Sequence, residues 1–131
     1  MQGFERFYNK KILSIEAFGK DEFDFTPCGC FFDVGETGYA VLSFENGQIY
    51  ISTDGLTNFL PDRPSANVLP IEKEVTETWN DKVLGSIELK DGIWYIKLKD
   101  CRMICCRYEE NDGQCDRDYM CVALDNWAAF D

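Results

Sequence analysis

The sequence predicts an α+β fold: a mainly antiparallel β-sheet built from three β-hairpins, with one α-helix around residues 71–84 packed on it. Three observations predict it. The dipeptides Asn46-Gly47, Asp91-Gly92 and Asp112-Gly113 each lie between strand-like stretches, and each suits a two-residue type I′ turn, where both positions need φ > 0. A two-residue turn fixes the register, and the cross-strand partners it implies agree about which face is apolar. Between the first two hairpins, Ile71, Val75, Trp79 and Val83 recur at every fourth position, a slowly drifting stripe that reads as helix. The 131 residues, 45% hydrophobic and 15% aromatic, are read as a single globular domain spanning 1–131, long enough to bury its own core.

Taken in chain order, KKILSIEAFG (10–19) reads as a strand, with Ile12 on one face and Leu13 and Ile15 on the other. DEFDFTPCGCFFDVGETG (21–38) mixes aromatics, proline and glycine, and only residues 30–34 suggest a short strand. Around Asn46-Gly47 the expected pairs are Phe44 with Ile49, Leu42 with Ile51 and Ala40 with Thr53. Residues 54–70 hold three of the four prolines and read as a surface loop. In the helix, Pro70 suits the first position, Glu72 and Glu74 the first turn, Lys82 the last, and Gly85 the stop. Around Asp91-Gly92 the pairs are Leu89 with Trp94, Ile87 with Ile96, Glu88 with Tyr95 and Ser86 with Lys97. Around Asp112-Gly113 they are Cys105 with Met120, Met103 with Val122, Cys101 with Leu124 and Arg107 with Asp118 on one face. Ile104 with Cys121, Cys106 with Tyr119 and Tyr108 with Arg117 lie on the other. Apolar on both faces near its base, this third hairpin is expected at the centre of the sheet. ALDNWAAFD (123–131) suggests a last helical turn that docks Trp127 and Phe130 on the body.

The composition narrows the chemistry. The chain has no histidine, which removes the usual general base, the Ser–His and Cys–His pairs and the commonest metal ligand. Seven cysteines are present, four of them within residues 101–115. Zinc wants four converging ligands, usually from two C-x₂₋₄-C knuckles, and the best spacing, Cys101-x₃-Cys105, falls in a strand. The predicted register sends Cys101 and Cys105 to one face and Cys106, Cys115 and Cys121 to the other, with Cys106 and Cys121 as diagonal neighbours. Core packing is therefore the favoured reading of these small, readily buried residues. The alternative metal set is Cys28, Cys30, Cys106 and Cys121. In EENDGQCDRD (109–118) an EF-hand frame centred on Gly113 puts tyrosines at the first and last ligand positions, so calcium fails. No phosphate-loop, dinucleotide-binding, nucleophile-elbow or zinc-protease motif occurs. No catalytic residue, metal or cofactor is expected.

The remaining signal is charge. The net charge is −11, which repels nucleic acid and anionic membrane and attracts a basic protein partner. From residue 109 to 131 seven acids stand against Arg117 alone. The candidate partner-binding residues are Glu109, Glu110, Asp112, Asp116 and Asp118 at the hairpin tip, with Phe59 and Leu60 as exposed apolar anchors in the proline-rich loop. No apolar run approaches the roughly 20 residues of a membrane span, and the N-terminus does not read as a signal peptide. The expected compartment is a bacterial cytoplasm, whose reducing conditions keep thiols free. In size, acidity and architecture the chain resembles the immunity-type proteins of bacterial toxin systems. That resemblance implies a non-enzymatic inhibitor that sequesters a basic toxin or nuclease domain. The alternatives are a cysteine-dependent zinc-binding or redox protein and a structural accessory subunit.

Overall fold

A computed structural model describes residues 3–28, 31–60, 67–111 and 116–125. In chain order these form β1 (Ser14–Phe18), β2 (Phe25–Cys28), β3 (Phe31–Gly35), β4 (Tyr39–Phe44), β5 (Gly47–Ser52), β6 (Gly55–Thr57) and β7 (Val68–Leu69). The helix α1 (Lys73–Trp79) follows, then β8 (Leu84–Lys90), β9 (Ile93–Leu98), β10 (Arg102–Asn111) and β11 (Asp116–Leu124). The strands make two sheets, one ordered β6-β5-β4-β1-β7 and the other β2-β3-β11-β10-β9-β8. Every pairing is antiparallel.

The period-two alternation of each strand sends one set of side chains between the sheets. Ile15, Ala17, Ala40, Leu42, Phe44, Ile49 and Ile51 from the five-stranded sheet share one apolar cluster with residues of the six-stranded sheet. Among the latter are Phe32, Val34, Ile87, Ile96, Met103, Cys105, Met120 and Val122. Val75 and Trp79 of α1 belong to the same cluster, and the Trp79 ring lies 6.3 Å from that of Phe32. Burying each such large side chain contributes about 1.5–3 kcal/mol. The N-terminal segment fastens the two sheets. Asn9 and Ile12 donate to the carbonyls of Leu84 and Lys82, and Leu84 donates back to Lys10. Phe7 stacks on Phe44 at 4.7 Å, and Phe4 meets Trp94 edge-on at 6.1 Å. The Tyr8 hydroxyl accepts from Ile87 N at 3.1 Å, which occupies backbone on β8, an edge strand.

The architecture is thus broadly α+β and mostly antiparallel sheet, but three hairpins do not describe it. Five of the eleven described strands (β1, β2, β3, β6 and β7) lie outside the three turns. The pairing around Asp91-Gly92 has the expected register, with Asp91 at φ +53° and Gly92 at φ +79°. Around Asn46 the register differs: Gly47 already pairs with Phe44, and Leu42 pairs with Ile49. Asn46 is not at positive φ. It donates instead to the Arg6 carbonyl at 2.9 Å, while a Cβ on Gly47 would approach the Phe7 ring to 3.1 Å. Docking of the N-terminal segment sets this turn. The helix is shorter than 71–84 because Asp81 adopts φ +67° and Lys82 and Leu84 bond to residues 10–12. Pro70 precedes the helix rather than opening it, and Gly85 sits at a register shift in β8 instead of at the helix stop. Residues 126–131, with Trp127 and Phe130, lie outside the described residues.

Candidate functional site

The β10–β11 ladder carries most of the residues that the sequence singles out. Its register is offset by two from expectation: Met103 pairs with Leu124, Cys105 with Val122, Cys106 with Cys121 and Tyr108 with Tyr119. The Asp112-Gly113 turn, Asp112 itself and Cys115 lie outside the described residues. An offset of two preserves the faces. Met103 and Cys105 enter the shared core, and Ile104, Cys121 and Ala123 on the opposite face are buried as well, as suits a strand pair inside the sheet.

Cys106 and Cys121 are direct partners rather than diagonal ones. Burial first, then the neighbouring Asp33 carboxylate, pushes the Cys121 thiol up to about 12. Burial also raises Cys106 and, further, Cys105. Only the thiolate is a good nucleophile or metal ligand, so burial works against either role for these three thiols. Among the described residues no group of three or more His, Cys, Asp or Glu side chains is arranged to hold a metal. The Cys28 side chain and the whole of Cys30 lie outside what is described, and the set of Cys28, Cys30, Cys106 and Cys121 therefore falls outside the described residues too.

The acidic end has a specific pairing. Glu109 lies opposite Asp118, Glu110 opposite Arg117 and Asn111 opposite Asp116. Arg107 reaches Asp118 across the ladder at 2.8 Å, an opposite-charge contact the sequence suggested. Tyr108 and Tyr119 stack at 5.6 Å on the other face and stiffen the stem below. Phe59 and Leu60 are exposed, at 70% and 54%, but they follow β6 at the edge of the five-stranded sheet. Leu60 lines a small surface pocket with Phe18, Tyr39, Val41 and Tyr50. The described acids of β10 and β11 therefore belong to one sheet, and the two apolar anchors follow an edge strand of the other.

Sequence reasoning missed a groove of about 440 Å³. Phe23, Phe25 and Pro27 line it from one side, Leu69, Pro70 and Ile71 from the other, and Glu22 and Glu72 complete its wall. It lies where an edge strand of one sheet, β2, comes beside the edge strand of the other, β7. Its rim is held by Asp24, a buried carboxylate that accepts from Lys20 N at 2.6 Å and from the Thr37 hydroxyl at 2.6 Å. Backbone closes tightly around it: a Cβ on Gly19 or Gly38 would come within 2.3 or 2.4 Å of Asp24 atoms. The short turn Glu22–Asp24 is further capped by Asp21, which accepts from Phe23 N at 2.9 Å. The Phe23 side chain is left 64% exposed on this rigid turn. No helix among the described residues is long and apolar enough to cross a membrane.

No protein-family model, curated protein or solved structure matches the chain.

Proposed function

We propose that this chain is a non-enzymatic acidic binding protein, an immunity-type inhibitor that sequesters a basic partner such as a bacterial toxin domain in the cytoplasm. The carrying observation is the pairing of Glu109 with Asp118 at the end of the β10–β11 ladder. Arg107 already meets Asp118, so the register sets one more acid, Glu109, beside an acid that has its cation, and that surplus of negative charge at the ladder's end suits a cation from elsewhere. The net charge of −11 supplies the long-range field that steers such a partner inward. The raised thiols argue for a structural role of the cysteines, and the lack of histidine argues against acid–base chemistry near neutral pH.

The test is association kinetics with a panel of purified cationic toxin domains, nucleases included, at low and high salt. A cognate partner is expected to associate more slowly as salt rises. The double variant Glu109→Lys/Glu110→Lys is expected to slow association by about tenfold or more at low salt. Association indifferent to both salt and charge reversal would overturn the reading.

A further inference from the structure

We propose that the groove between β2 and β7 is a second docking site, for an extended peptide segment that carries an apolar anchor flanked by lysine or arginine. Three features of the groove select this occupant. Its volume of about 440 Å³ is within the range that holds bound side chains and small ligands, and its lining is mostly apolar. Its wall includes Glu22 and Glu72, neither of which makes an ion pair among the described residues. An acidic wall around a mostly apolar lining complements a cationic segment with an apolar residue at its centre, and disfavours an anionic one.

The strand edges decide how the segment is held. Both bordering strands end their sheets, and an open edge normally recruits a peptide by main-chain hydrogen bonds. Here Pro27 and Pro70 line the groove, and proline has no N–H to offer. The main-chain ladder available to an incoming strand is therefore interrupted on both sides. Recognition rests on side chains: the anchor seats against Phe23 and Ile71, and the flanking cations meet Glu22 and Glu72. Phe23 is fit for this role because the Asp21 and Asp24 hydrogen bonds fix its turn, so little order is lost when it is covered. This site is independent of the acidic hairpin, which belongs to other strands.

The experiment is an NMR titration of the full chain with a short, end-capped peptide alternating lysine with leucine. Comparison peptides replace either leucine by serine or lysine by glutamate. Shifts confined to residues 22–27 and 69–72 are expected, with affinity at least about tenfold lower for Phe23→Ser and for Glu22→Lys/Glu72→Lys. Glu109→Lys/Glu110→Lys changes the net charge equally and is expected to leave this affinity within about twofold, since distant surface charges are screened. Three results would overturn the proposal. The lysine–serine or glutamate–leucine peptide could bind as well, showing that anchor or charge is irrelevant. The hairpin variant could lose as much affinity as the groove variant, showing non-specific attraction to an acidic protein. The lysine–leucine peptide could fail to bind at all.

Discussion

Two residues show how the environment of a side chain, rather than its type, decides its role. Asp24 is one of 24 acids in the chain, yet it is buried and serves as an internal fastener, accepting from Lys20 N and the Thr37 hydroxyl. Removing a partner from a buried polar group costs about 1–3 kcal/mol. Asp24→Ala is expected to destabilise by at least that much, and Thr37→Val by about 1–2 kcal/mol, read as a fall in the urea midpoint at unchanged slope. A midpoint unchanged in Asp24→Ala would contradict the fastening role. Cys121 is the second case. Its thiol is raised from 9.0 to about 12 by burial and by Asp33, so the fold favours the protonated form. That contribution is fully present below the ordinary thiol value and is lost as pH rises from about 9 towards 12. Wild-type stability should therefore fall more steeply over that window than the stability of Cys121→Ala, by urea melts at a series of pH values. Parallel curves would show that the thiol is not held protonated.

At the scale of elements, local turn chemistry was a good guide where nothing else touched the turn. Asp91 and Gly92 adopt the positive φ values that their sequence prefers, and a Cβ on Gly92 would meet nothing within 4 Å. Gly92→Ala is therefore a strain-only substitution, expected to cost about 1 kcal/mol in the urea midpoint; a neutral result would mean that the turn relaxes. Where tertiary contacts reach the turn, the guide failed. Asn46 is pulled aside by the Arg6 carbonyl, and the helix ends early because residues 81–84 bond to residues 10–12. Face assignments survived these errors, since each register offset was by two and side-chain direction has period two. The offset on β10–β11 matters most, because it sets Glu109 opposite Asp118 while Arg107 still reaches Asp118 as a diagonal neighbour. That added acid beside an already paired Asp118 is what the functional reading rests on.

For the whole molecule, the apolar interior and the surplus of negative charge were legible in composition, and the division into two sheets was not. Pairings such as β11 with β3, or β1 between β4 and β7, join segments far apart in sequence, and no local pattern encodes them. The groove is hidden for the same reason: residues 22–27 and 69–72 are brought together only when the two sheet edges meet. The exposure of Phe59 and Leu60 was readable from the proline-rich loop around them, but not that they follow a strand of a different sheet from the described acids. The most direct test of the acidic-binder reading uses one variant and two readouts. Glu109→Lys turns the rung opposite Asp118 from like to opposite charge. It is expected to slow capture of a cationic toxin domain at low salt while leaving the unfolding free energy within about 1 kcal/mol of wild type, since Arg107 already pairs with Asp118. A variant that keeps its fold and captures the partner just as fast would contradict the account.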